Sequence, residues 1–274
     1  MAISINSNPL AYSVSRQLSS ITDQLKETSE RIATGKRILS AKDDPAGIGI
    51  LTGMKAQYGS WNAVEKNLAS GQSLLDVSSG ALKNQNDLLV KMKDIATQAA
   101  SDLISTDQRA ALQSTFAEMQ GQLDTIVNRA SIFGQNLVGS AAANVNIQTG
   151  INSGDTKALT AIKSDASTLG VDAGSIDLTD STKASAAMTA LDAAVATVAS
   201  NQSVIGAQQS GFDSLVSIAK TAKTNLESAM GRIEDADIAE ETTKLQLLQT
   251  QQQLGISALG IIQSLPQYAL SLLR

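Results

Sequence analysis

The segment Gly47-Ile48-Gly49-Ile50-Leu51-Thr52-Gly53 comes near the glycine fingerprint that holds a dinucleotide pyrophosphate at a helix N-terminus. It fails in two ways: the third glycine falls one place late, and nothing strand-like precedes the first. A helix start or turn after Pro45 is the better reading. Two acidic pairs, Asp43-Asp44 and Glu240-Glu241, have the residue type for metal ligation or acid–base work. No sequence signal places a pocket around them, so helix capping and charge pairing account for them better. Asp43-Asp44 directly before Pro45 suits a helix N-terminus, where carboxylates complement the dipole. Asn201-Gln202-Ser203 has the spacing of an N-glycosylation sequon, but it sits in the middle of a long helical run and reads as coincidence. The chain has no His and no Cys, which excludes a His-based triad, a thiol nucleophile, a structural zinc site and a disulfide framework. The sequence therefore offers no catalytic, cofactor-binding or metal site, and no enzyme is expected.

Composition says what must position the remaining residues. Hydrophobic residues make up 42% of the 274, but aromatics only 3%, and much of the apolar share is Ala. With three Pro in the whole chain, this composition suits long helices packed side by side. The net charge of −5 gives no basic excess for nucleic acid. No apolar run approaches the ~18 residues of a membrane span. Residues 1–25 lack the basic and apolar regions of a standard signal peptide, so on this ground alone the chain is cytoplasmic unless a dedicated export machine reads another signal.

A 4-3 spacing runs through Val14, Leu18, Ile21, Leu25, Thr28, Ile32, Gly35 and Leu39, the seam of a helix lying against other helices. A second seam runs from Val64 to Leu103 with a neighbouring stripe at Leu74, Val77, Ala81, Leu88 and Ile95, which together make the broad face of a bundle. Thr106-Asp107 reads as the cap of a third segment, Leu112 to Ala130. The longest seam, Leu191 to Ile233, has ten apolar positions of thirteen, with Asp180-Ser181 as its cap. A helix of ~50 residues would be about 75 Å long, which predicts a rod. The last helical pattern carries one stripe at Leu247, Leu254, Ala258, Ile261 and Leu265 and another at Leu245, Leu248, Leu259 and Ile262, with Pro266 as punctuation. Between the halves, residues 138–182 turn rich in Gly, Ser, Thr, Asn and Asp. There, 145–148 and 159–162 alternate around an Asn152–Asp155 turn and predict a β-hairpin, with a second short turn or hairpin at 168–178. The expected fold is mainly α: an elongated helical bundle or coiled coil, N- and C-terminal helices antiparallel, with a small β-hairpin region at the tip.

Two signatures then match a family. Arg31-Ile32-Ala33-Thr34-Gly35-Lys36-Arg37-Ile38 followed by Ser40-Ala41-Lys42-Asp43-Asp44-Pro45-Ala46-Gly47 resembles the N-terminal signature of bacterial flagellin. Arg232-Ile233-Glu234-Asp235-Ala236-Asp237 resembles its C-terminal signature, and the ending Leu270–Arg274 is also flagellin-like. Ile147-Gln148-Thr149-Gly150 resembles a third, weaker element. The resemblance implies a non-enzymatic subunit that polymerises into the flagellar filament for motility. The alternatives are the related hook–filament junction protein and, from another class, a secreted helical effector or adhesin.

The resemblance implies residues 1–40 plus 234–274 as a discontinuous inner coiled-coil assembly domain. It implies residues 41–233 as an outer helical domain, its tip at about 138–182, with no large outer globule. Ser40, Ala41, Lys42, Asp43, Asp44, Pro45, Ala46 and Gly47 would form an interdomain hinge. The expected polymerisation seam is Ile3, Ile5, Leu10, Val14, Leu18, Ile21, Leu25 and Ile32 at one end, and Leu247, Leu254, Ala258, Ile261, Leu265, Leu270, Leu272 and Leu273 at the other. A paired end-helix covers only one face of its partner, so Ile3, Ile5 and Leu10 at one end and Leu270, Leu272 and Leu273 at the other need neighbouring copies, and both ends are expected to order on assembly. The family further implies an extracellular location and export through the flagellar type III channel without a cleaved signal. Its expected partners are further copies, other flagellins, an export chaperone, and cap and junction proteins, with no nucleic acid and no membrane insertion. Residues 89–98 align with the patch that Toll-like receptors contact in many flagellins. Lys91 stands where those carry Arg and cannot reproduce bidentate geometry, which counts against such recognition.

Overall fold

The computed structural model describes residues 9–272, with side chains described through Ser264. In chain order the elements are α1 (Pro9–Thr34), α2 (Pro45–Ala99), α3 (Thr106–Arg129), β1 (Ser131–Ile132), β2 (Gln135–Asn136), β3 (Val145–Gln148), β4 (Thr156–Leu159), α4 (Ser181–Glu234) and α5 (Ile238–Leu272). The strands form two antiparallel pairs, β1 with β2 and β3 with β4. The mainly α reading with a small hairpin region holds. The chain gathers into two compact units, residues 57–224 forming one, residues up to 56 with those from 225 onward the other.

The unit of residues 57–224 owes its core to heptads. Leu68, Leu75, Leu82 and Leu89 recur every seven residues along α2, as Leu191, Val198, Ile205, Phe212 and Ala219 do along α4, and all are buried. Phe116, Leu123 and Val127 of α3 complete the core. Gly71 admits the Phe212 ring, because a Cβ there would stand 2.7 Å from its Cε1. The helix starts are capped by short polar side chains. Ser105 and Gln108 form a reciprocal capping box on α3, one residue earlier than the spacing predicts. The Asp180 carboxylate accepts from the Lys183 N–H at 2.8 Å, as expected.

The β3–β4 hairpin differs from expectation in its second strand, which runs 156–159 rather than 159–162. Asp155 accounts for the shift. Its carboxylate accepts from the Asn152 backbone N–H and amide, both at 3.1 Å, and its carbonyl accepts from Thr149 and Gly150. The loop thus closes early, and pairing resumes at Thr156. Of the second short turn or hairpin expected at 168–178, the structure has turns, with Gly170 N–H donating to the Ser167 carbonyl at 3.1 Å and Ser175 N–H to the Asp172 carbonyl at 3.0 Å, and no paired strands. Residues 160–178 instead form an irregular strap that buries Ala166, Leu169, Val171, Ile176 and Leu178. Side chains from the helices satisfy its backbone: Asp124 accepts from Ala166 N–H at 2.8 Å, Gln113 accepts from Leu178 N–H at 2.7 Å, and Gln120 donates to the Val171 carbonyl at 3.0 Å. The β1–β2 hairpin is not expected from the sequence. Its two-residue loop, Phe133-Gly134, has φ of 53° and 73°, the backbone of a type I′ turn.

Candidate assembly site

The two signature segments meet. In the unit formed by the chain ends, α1 stops at Thr34 because Gly35 takes φ +70°, a left-handed end that L side chains rarely adopt. The seam read through Gly35 to Leu39 therefore outruns its helix. Lys36 then pairs with Asp235 in an antiparallel bridge. Around it the Arg37 N–H donates to the Glu234 carbonyl at 2.6 Å, and the Ala236 N–H donates to the Gly35 carbonyl at 2.9 Å. The Arg37 guanidinium reaches the Ile233 carbonyl at 2.8 Å. Glu234 receives Lys36 at 2.6 Å and Lys55, from α2, at 3.1 Å. The hydrogen bond from Lys36 leads in holding the Glu234 carboxyl below its ordinary range, against the opposing effect of burial. The ends of α1 and α4 and an early turn of α2 are thus tied by backbone pairing and one shared carboxylate.

The expected hinge residues lie beside this joint. The Asp43 carboxylate accepts from the backbone of Leu39 at 3.0 Å and Ser40 at 2.8 Å, which pulls its pKa down. Asp44 caps α2 by accepting from Gly47 N–H at 2.8 Å. Pro45, Ala46 and Gly47 form the first turn of that helix. A Cβ on Gly47 would lie 2.5 Å from the Asp44 carboxylate and 3.0 Å from Ile38, so the capping turn requires glycine. The near-fingerprint glycines accordingly sit on α2, not in a strand–turn–helix.

α1 and α5 run antiparallel. Leu18 packs near Gly255, Gln252 reaches Thr22, and Arg31 reaches Glu241 at 3.3 Å. Ile21 is buried, and Val14, Leu18, Leu25 and Ile32 are half-buried; Leu10 is exposed. On α5 the residues toward α1 are Glu241, Leu245, Leu248, Gln252, Gly255, Leu259 and Ile262, a 4-3 repeat of buried or half-buried positions. The expected stripe lies across the helix from these: Leu247, Leu254 and Ile261 are 57%, 65% and 65% exposed, and Ala258 is half-buried. The two halves of the expected seam therefore do not face each other. Val14, Leu18, Ile21, Leu25 and Ile32 pack toward α5, whereas Leu247, Leu254 and Ile261 look outward. Ile3, Ile5 and Leu273 lie outside the described residues, as do the side chains of Leu265, Leu270 and Leu272. α5 continues through Pro266, where punctuation is expected.

The remaining candidate chemistry is absorbed by structure. Glu241 pairs with Arg31, and the sequon amide Nδ2 of Asn201 is buried within α4. Among the described residues no group of three or more His, Cys, Asp or Glu is placed to hold a metal ion. No helix among them is long and apolar enough to cross a membrane.

Family models cover both ends: the bacterial flagellin N-terminal helical region matches residues 5–143 and the C-terminal helical region residues 188–273. The chain belongs to the bacterial flagellin family. Flagellin FljM of Caulobacter vibrioides is 32% identical over 271 residues, covering 99% of this chain and 98% of the relative. A flagellin of Halalkalibacterium halodurans is 29% identical over 270 residues, covering 98% and 99%. The crystal structure of Bacillus cereus flagellin superposes with a TM-score of 0.51 at 26% identity, covering 60% of this chain and 94% of that one. This flagellin is a structural subunit of the flagellar filament. The signature joint and the α1–α5 pair fall within its matched end regions.

Proposed function

We propose that this flagellin polymerises through the face of α5 turned away from α1, with residues 1–40 and 234–274 as the assembly domain. The observation that carries the reading is the outward stripe of Leu247, Leu254, Ala258 and Ile261. Leu247, Leu254 and Ile261 recur at seven-residue intervals, each interval only about 20° short of two full turns, and Ala258 fills the 4-3 place between the last two, so the stripe stays on one side of the helix. Large apolar groups so exposed mark an interaction surface. Each is worth ~1.5–3 kcal/mol when buried, and the gain repeats with every copy added. Open-ended growth follows from heterologous contacts that do not close. Residues 41–233 form the outer domain in this reading, with 138–182 toward solvent. Residues 40–47, held by the Asp43 and Asp44 carboxylates, serve as the hinge. The chain does no catalysis. It leaves the cell through the flagellar type III channel, its apolar C-terminal helix shielded by an export chaperone, and it meets cap and junction proteins at the filament ends.

The test is electron microscopy of purified protein under precipitating salt. The wild type is expected to form micrometre-long fibres. The Leu254→Asn, Ile261→Asn double variant is expected to stay monomeric with an unchanged Tm. Wild-type protein that gives no fibres, or only short closed assemblies, would favour the junction protein. Fibres from the double variant, or from a chain lacking residues 235–274, would overturn the assigned seam.

A further inference from the structure

Two features at opposite ends of α3 are complementary, and both lie in the unit of residues 57–224. Just past the C-terminal end, the β1–β2 turn holds Phe133 at φ 53° before Gly134. The first place of such a turn favours Asn, Asp or Gly, because the left-handed backbone crowds a larger side chain. Phe is strained there, and it is 72% exposed. A bulky apolar residue held in water on a strained backbone adds little to the fold of its own chain, and such strain points to function. At the N-terminal end an open cleft of about 490 Å³ lies among Gln98, Ser101, Ile104, Gln108, Ala111 and Leu112. Leu103 beside it is 96% exposed.

Charges at the two ends also match. Arg129, at the end of α3, has no ion pair among the described residues, and neither have Asp102 and Asp107 near the cleft. The cleft's own cation, Arg109, is engaged with the Ala99 and Ser101 carbonyls, both at 3.0 Å. From Leu112 at the cleft to Arg129 before the turn, α3 rises about 26 Å, so the turn cannot fill the cleft of its own chain.

We propose that the Phe133 turn of one subunit seats in the cleft of the next copy, with Arg129 beside that copy's Asp102 and Asp107. A projection and a recess at opposite ends of one rigid helix make a head-to-tail contact, and such contacts propagate. This rests on the filament reading and adds to the α5 stripe a second contact made of different residues.

The chain has no Cys, so introduced thiols report on this contact alone. Salt-assembled Gln108→Cys, Gln135→Cys protein, exposed to a mild oxidant, is expected to give a ladder of covalent multimers on a denaturing non-reducing gel. Neither single variant should give a ladder. An all-monomer double variant would overturn the proposal. In parallel, Phe133→Asn creates the favoured Asn-Gly turn, so the monomer Tm should hold or rise while the critical concentration for assembly rises about tenfold or more. If the wild type forms fibres and Phe133→Asn assembles at the same concentration, this contact falls and the filament reading stands. If the wild type forms no polymer, the filament reading falls and takes this contact with it.

Discussion

Arg31 of α1 and Glu241 of α5 form an ion pair at 3.3 Å across the paired chain ends, and each keeps a buried polar atom, Nε and Oε2, without a partner. Arg31 also binds Glu27 of its own helix at 2.5 Å, so the guanidinium is shared rather than bidentate. A half-satisfied pair in a largely dry site costs more when broken than it gives when made. Glu241→Ala is therefore expected to weaken the α1–α5 pair by about 1–3 kcal/mol. Arg31→Met with Glu241→Leu should recover most of that loss. Urea unfolding of the wild type and these two variants checks it; a double variant as weak as Glu241→Ala would mean the pair stabilises rather than merely specifies.

Glu234 makes the signature joint sensitive to acid. Its folded pKa lies below the ordinary value of 4.5, chiefly through the hydrogen bond from Lys36. A lowered carboxylate pKa contributes stability that is fully present above the ordinary value and is lost as pH falls through the folded one. Wild-type protein and Glu234→Gln should therefore differ in stability at neutral pH and converge as pH drops below 4.5. Unfolding midpoints measured across that range test this. A gap that stays constant with pH would remove the carboxylate's charge as its source.

The heptads make most of this architecture readable from the order of the residues. Leu68 to Leu89 and Leu191 to Ala219 repeat because one helical face must stay dry over many turns. Asp180 is legible as a cap for the local reason that only its own helix start uses it. The errors fall where distant groups decide. The 4-3 spacing continues through Gly35, yet that residue turns left-handed and ends α1, and the chain beyond it is taken up by the bridge between Lys36 and Asp235. The strap at 160–178 has no period, since Gln113, Gln120 and Asp124 hold it from elsewhere in the chain. Strands of two residues, such as 131–132, are too short for alternation to show, and only the Phe133-Gly134 pair could signal their turn. For the seam, spacing identifies the apolar positions on α5 but not the side of the helix that α1 covers.

Gln85 and Ser164 provide a test of the strap. Both are buried: the Gln85 amide donates to the Ser164 carbonyl, and the Ser164 hydroxyl donates to the Gln85 amide oxygen at 2.7 Å. Gln85→Leu leaves that carbonyl and hydroxyl unpaired in the core, at an expected cost of about 1–3 kcal/mol and a Tm several degrees lower. Adding Ser164→Ala removes the stranded hydroxyl and should return part of the loss. Calorimetry of both variants decides; an unchanged Tm for Gln85→Leu would show the strap held by its apolar residues alone.

The chain ends should be the least protected part of the isolated subunit. Of the 26 residues of α1 only Ile21 and Thr28 are buried, and on α5 the buried positions among the described side chains are Glu241 and Leu248. The residues 57–224, by contrast, share a continuous core of Leu, Phe and Val. A helix is marginal in water unless tertiary packing supports it, and amide exchange follows such local stability. In dilute monomer the amides of 9–34 and 238–264 are expected to exchange rapidly while those in the heptad stretches of α2 and α4 stay protected. On assembly, the outward face carrying Leu254 and Ile261 gains neighbours, and protection should appear along α5 and spread to α1 through their shared 4-3 contact. Slow exchange at 9–34 in the monomer, at every concentration tested, would mean the two helices support each other unaided, and the outward stripe would lose its role in ordering the ends.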